Sequence, residues 1–216
     1  MMKKTLMLLL SLLMILSLTA CGSAEQPSAE QNAAEDVEIS AAQPEATDAL
    51  EQPNVKVLVA YFSATNTTAT VAEHLADGLQ ADLYRIIPEE PYTDADLDYN
   101  DNNSRSTLEM NDPTARPAIS GSVENMSQYD IVFIGYPIWW GDAPRIVSTF
   151  VESYDFSGKT IVPFCTSGGS GISASAANLE QLTSGADWLD GQRLYGSDSQ
   201  ETIMEWVNSL ALDLGV

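Results

Sequence analysis

Positive charge, thiols and histidine are all scarce in this chain. Its 216 residues include nine Lys and Arg against 31 Asp and Glu, two Cys and one His, for a net charge of −22 at pH 7. Such an acidic chain makes a poor partner for nucleic acid or an anionic membrane surface, and a plausible one for a protein with a basic patch. The lone histidine, His74, has no Ser-His-Asp arrangement around it, and no spacing of His, Cys and carboxylates forms a metal cluster. His74 therefore reads as a structural residue. No dinucleotide-binding signature is present. If Cys21 is consumed at the N-terminus, as argued next, Cys165 is the only thiol left and no intrachain disulfide can form. Cys165 ends an apolar run and reads as a buried structural thiol.

The N-terminal segment has the pattern of a leader. Met1-Met2-Lys3-Lys4 is a basic n-region, and Thr5–Leu18 is an apolar stretch too short to span a membrane comfortably. The sequence Leu18-Thr19-Ala20-Cys21-Gly22 resembles the lipobox of bacterial lipoproteins. That resemblance implies a signal peptide over 1–20, a diacylglyceryl thioether on Cys21, and an extracytoplasmic protein lipid-anchored to the bacterial cell membrane. Residues 22–54 are Ala, Glu, Gln, Pro and Ser with few apolar side chains, and cannot bury enough surface to offset ordering entropy. They read as a disordered acidic tether reaching at least roughly 30 Å. Eight acids fall in that tether and two bases in the leader, so the chain from Val55 onward carries 23 acids against seven bases, a net charge near −16.

Residues 55–216 are enough for one domain with a core. Apolar runs and amphipathic segments alternate along them. Strands are expected over Val55–Phe62, Ala81–Ile87, Ile131–Tyr136 and Thr160–Cys165, with a short, weakly patterned fifth between Trp188 and Leu194. Helices are expected over Thr67–Leu79, Pro144–Tyr154, Ser170–Leu182 and Ser199–Leu212, the second opened by a proline in its first turn. Near-continuous apolar strands alternating with helices predict an α/β fold, a doubly wound parallel sheet covered on both faces. In such sheets ligands bind beyond the carboxyl ends of the strands. The exception to the short connections is 88–128, a long inserted loop. Its Asp94, Asp96, Asp98, Asn100 and Asn102 alternate like a calcium loop, but Tyr99 stands where that loop needs Gly and Arg105 where it needs Glu. A solvated polar loop with no metal is the expectation.

Three loops at the carboxyl edge carry the chemistry. After the first strand comes Ser63-Ala64-Thr65-Asn66-Thr67-Thr68, four hydroxyl side chains in six residues leading into a helix. Backbone N–H groups at a helix start, with the helix dipole, form an anion site. The turn has no Lys or Arg, so it suits a single phosphomonoester better than a polyphosphate. After the third strand comes Pro137-Ile138-Trp139-Trp140-Gly141-Asp142. Consecutive side chains point in different directions, so one tryptophan can anchor the loop while the other lies against a planar ligand. After the fourth strand comes Thr166-Ser167-Gly168-Gly169-Ser170-Gly171, whose glycines allow close backbone approach or positive φ, with Ser170 placed to cap the next helix.

These loops resemble those of the flavodoxin-like family. Ser63–Thr68 is similar to the family's phosphate loop, and Trp140-Gly141-Asp142 to the segment along the flavin ring. Ala60–Thr65, Pro91–Thr93, Pro137–Trp140 and Thr166–Gly171 resemble signatures of a bacterial flavodoxin-like group. The resemblance implies a five-stranded sheet of order 2-1-3-4-5 with FMN at its edge. It places the phosphate on Ser63, Ala64, Thr65, Asn66, Thr67 and Thr68. The ring falls against Trp139 or Trp140 with Pro137, Ile138 and Gly141, and its pyrimidine side against Thr166, Ser167, Gly168, Gly169 and Gly171. Asn66 stands where the family has Gly; Asn is the other residue that tolerates left-handed backbone. The expected function is tethered electron transfer with an unidentified redox partner. An NAD(P)H-dependent FMN or quinone oxidoreductase and a flavin-free binding module remain as alternatives.

Overall fold

A computed structural model describes residues 55–214. The leader, Cys21 and the tether lie outside the described residues. The first strand, β1 (Val57–Tyr61), is flanked by β2 (Asp82–Arg85) on one side and β5 (Ile131–Pro137) on the other, all parallel. β6 (Thr160–Thr166) pairs in parallel with β5, and β7 (Asp187–Trp188) and β8 (Gln192–Leu194) pair in parallel with β6. With the last two counted as one interrupted strand, the order is 2-1-3-4-5, as the sequence resemblance implied.

The interruption has a local cause. The Ile161 carbonyl accepts from Leu189 N–H at 2.9 Å, so odd-numbered residues of β6 turn their backbone groups toward the fifth strand. Pro163 is one of them and has no N–H to offer. Opposite it sits Gly191, where a Cβ would lie 2.5 Å from the Pro163 carbonyl oxygen. A proline without a donor and a close approach that only glycine allows split one strand into two.

Strand side chains alternate between two apolar layers. Val59, Phe133, Val162 and Phe164 face α1 (Thr67–Leu79) and α5 (Gln200–Ser209), which contribute Val71, Leu75, Ile203 and Val207. Leu58, Ala60, Val132, Ile134 and Ile161 face α3 (Arg145–Glu152) and α4 (Ser173–Glu180), represented by Ile146, Phe150 and Leu179. Cys165 is buried on this second side, and burial pushes its thiol up to about 12.

Two expectations need correction. Residues 88–128 are not a plain solvated loop. β3 (Ile87–Pro88) pairs antiparallel with β4 (Ile119–Ser120), α2 (Arg105–Asn111) is capped by the Ser104 hydroxyl, and Met126–Gln128 form a short 3₁₀ turn. The acidic side chains there bond their own turns: Asp96 Oδ2 accepts from Thr93 N–H at 2.8 Å, and Asp98 Oδ1 accepts from Asn100 N–H at 2.8 Å. The second correction concerns Ser170. The helix it was expected to cap starts at Ser173, and the Ser170 carbonyl instead accepts from the Ser167 hydroxyl at 2.5 Å.

Candidate functional site

At the carboxyl edge of the sheet the loops enclose a cleft of about 480 Å³. The first wall is the hydroxyl-rich turn, which supplies Ala64, Thr65 and Thr67. Asn66 sits at φ 66°, ψ −5°, a left-handed residue immediately before α1, and its side chain makes no capping bond. The first N–H groups of α1 therefore lack a side-chain cap, which leaves donors and the positive end of the helix dipole free for an anion. Thr65 and Thr67 hydroxyls lie 3.4 Å apart.

The second wall is the tryptophan loop. Trp139 N–H donates to the Asp142 carbonyl and Asp142 N–H to the Trp139 carbonyl, both at 2.9 Å, so Trp140 and Gly141 form a two-residue hairpin turn. Both have positive φ, 51° and 82°, the pattern of a type I′ turn. Gly141 takes this backbone without strain; a tryptophan in it is strained by about 1–3 kcal/mol. The two indoles have different surroundings. Trp139 is buried (4% exposed), edge-on to Phe62 at 5.4 Å and to Tyr92 at 5.2 Å, and forms part of the cleft wall. Trp140 is 52% exposed at the hairpin tip, its ring 5.7 Å from Tyr99. A salt bridge between Arg145 and Asp142 (3.1 Å) fixes the base of the hairpin.

The third wall is Thr166, Ser167 and Gly168, with Pro137 and Ile138 completing the floor. No protein atom lies within 4 Å of where a Cβ would project from Gly168, Gly169 or Gly171, and none has positive φ. Positive φ, one of the two uses expected for these glycines, is not adopted here. Among the described residues, no carboxylate, Lys or Arg lines the cleft.

Other expected residues lie outside that lining. Thr68 is buried, and its hydroxyl bonds that of Thr166 at 2.8 Å, tying the hydroxyl turn to the end of β6. Ser63 lines a neighbouring cleft instead. Asn66, Trp140, Gly141, Gly169 and Gly171 border the cleft loops without lining the cavity itself. Conversely, Leu97 and Tyr99 of the insertion, Leu194 at the end of β8, and Tyr195 and Gly196 after it line it unforeseen. The last three form the carboxyl end of the fifth strand and what directly follows it, so the rule that ligands sit beyond carboxyl ends, applied to that strand too, points to them.

The insertion is locked to this site. Tyr92 donates its hydroxyl to Glu109 at 2.6 Å, Arg105 bonds the same carboxylate at 2.6 Å, and the Arg105 guanidinium lies 4.0 Å from the Tyr92 ring centre. Burial, then the bonded carboxylate, holds the Tyr92 phenol far above its ordinary range.

Comparison with known proteins places this geometry in context. The flavodoxin family model matches residues 56–210. The structure of a candidate flavoprotein from Bacteroides eggerthii is 51% identical, covering 74% of this chain and 100% of that one with a TM-score of 0.70. A candidate flavoprotein from Bacteroides uniformis is 46% identical over 72% of this chain and 99% of that one, TM-score 0.69. A flavoprotein from Lactobacillus acidophilus, in complex with FMN, shares 20% identity over 73% of this chain and 99% of its own, TM-score 0.56, a likeness of fold. No curated protein matches the chain.

Proposed function

This chain belongs to the flavodoxin family, and on that premise we propose that it is an FMN-dependent electron-transfer protein, tethered outside the cell membrane through Cys21. One observation carries the reading. The uncapped start of α1, the tryptophan hairpin and the open glycine backbone converge on a single uncharged cleft.

The residues present fit the cofactor. N–H groups of the turn before α1 and the Thr65 and Thr67 hydroxyls hold the phosphate, each bond to the charged group contributing about 1.5–3 kcal/mol. Several such bonds suffice without a cation. Trp139, Ile138 and Tyr99 would give the ring an apolar wall, the Ser167–Gly168 backbone would offer it polar groups, and Trp140 stands at the tip of the bordering hairpin. FMN supplies the redox chemistry when bound; the chain sets its position, solvent access and electrostatic surroundings. The acidic surface favours a redox partner with a basic patch.

Residues 55–216, purified and mixed with FMN, should turn yellow with saturable quenching of flavin fluorescence; a colourless protein with unquenched flavin overturns the cofactor. Anaerobic NADPH should leave the bound flavin oxidised, whereas rapid bleaching makes the protein an NAD(P)H-dependent oxidoreductase. The anchor is tested separately. In the full chain Cys21→Ala should abolish incorporation of labelled fatty acid, and unchanged labelling overturns lipidation at that residue.

A further inference from the structure

Beside the main cleft, and sharing only Ala64 with it, is a second of about 290 Å³. Its walls are apolar, from Phe62, Ile87, Pro88, Pro91 and Tyr92, with two polar residues, Ser63 and Arg85. Arg85, an exposed residue at the end of β2, forms no ion pair among the described residues, in a chain where acids outnumber bases more than threefold. Its guanidinium donates one bond, from Nη2 to the Ser63 carbonyl at 3.2 Å. A guanidinium has five N–H donors, so most of its fork is unspent. The Ser63 hydroxyl in the same wall is buried and has no hydrogen-bond partner among the described residues.

An apolar cavity with a few convergent polar groups is the usual form of a small-molecule site. The polar groups select the chemistry. A lone guanidinium fork matches a carboxylate. The apolar walls and small volume exclude a sugar or a nucleotide and suit one ring or a short branched chain. We propose that this cleft binds a small aromatic or aliphatic monocarboxylate, its carboxylate on Arg85 and its apolar body against Ile87, Pro91 and Tyr92. The two clefts share only Ala64, so the two ligands do not compete. Tyr92, which touches Trp139, links their walls.

Benzoate serves as the probe and benzamide as its neutral counterpart, titrated by calorimetry into residues 55–216 with and without FMN. Benzoate should bind both forms with one site, and benzamide at least about tenfold more weakly, as the loss of a charge-assisted bond requires. Arg85→Met, which keeps the aliphatic stem, should weaken benzoate at least about tenfold and leave the FMN titration unchanged; Arg85→Lys should recover part of the loss. Ile87→Trp, filling the cleft from an exposed strand position, should abolish benzoate binding while circular dichroism shows the fold intact. Absence of benzoate binding, equal binding of benzamide, indifference to Arg85→Met, or competition between benzoate and FMN each overturns the proposal. The FMN-free titrations keep its outcome separate from that of the cofactor.

Discussion

Trp140 is the residue whose backbone works against it. A bulky side chain at φ 51° on a two-residue turn occupies a position that Asn or Gly fills more comfortably. Among the described residues its only ring contact is a tilted one with exposed Tyr99, which returns less than the strain costs. Trp140→Asn should therefore raise the stability of the FMN-free protein by up to about 1 kcal/mol in urea unfolding. The same variant should weaken FMN roughly tenfold in a fluorescence titration, since it removes a ring from the hairpin tip. Equal stability and equal affinity would show that Trp140 neither carries strain nor meets the ligand. Asn66 is the milder case: Asn66→Gly should be near neutral for folding, whereas Asn66→Val should cost about 1–2 kcal/mol, because a β-branched residue resists the left-handed region. Cys165 gives a dependence on pH. Its thiol is pushed up to about 12 by burial, above the ordinary value near 8.5, so the folded state keeps a proton that the unfolded chain loses. That contribution is fully present below about pH 8.5 and disappears as pH rises through 12. Cys165→Ala should flatten the alkaline fall in stability over that window, and an identical slope in the variant would refute the assignment.

Among the elements, the interrupted fifth strand gives the sharpest test. Gly191→Ala drives a Cβ to 2.5 Å from the Pro163 carbonyl, a backbone atom that cannot swing away. It should destabilise by about 1–3 kcal/mol in denaturant unfolding, whereas Gly168→Ala, facing open space, should leave folding unchanged and weaken FMN instead. The contrast separates glycines kept for the chain's own packing from those kept for a ligand. It also shows what was readable beforehand. β1, β5 and β6 were legible because each is a continuous apolar run, and α1 and α5 because their buried positions repeat with helical spacing. The insertion was not. Its helix has seven residues and its paired strands two each, too short for a period to emerge, and what holds them is the contact of Tyr92 with Glu109, Arg105 and Trp139. The three loops of the cleft were visible because glycine, hydroxyl and aromatic residues cluster at strand ends. Tyr99 and Leu97 were hidden because only tertiary folding of the insertion brings them to the site.

Across the whole molecule, charge decides how a bound flavin behaves. The residues from Val55 onward hold 23 acids and seven bases, and no cation lines the main cleft. Reduction of FMN to its anionic form adds negative charge inside this negative field. The field disfavours the reduced form, so the midpoint potential should lie below that of free FMN. Much of the opposing charge is exposed, and exposed charges more than a Debye length away, about 10 Å at 0.1 M salt, are screened. Raising ionic strength from 0.01 to 0.5 M should therefore move the potential upward toward the free value. The sign follows directly: screening weakens repulsion of the added electron. Local terms behave otherwise, because burial of the ring and any bonds it takes from backbone N–H groups would not respond to salt. A spectroelectrochemical titration at several salt concentrations measures both parts at once. The shift with salt reports the whole-molecule field, and the residual offset at high salt reports the cleft. A potential above that of free FMN, or one that falls as salt is added, would overturn the view that the acidic surface sets the redox poise.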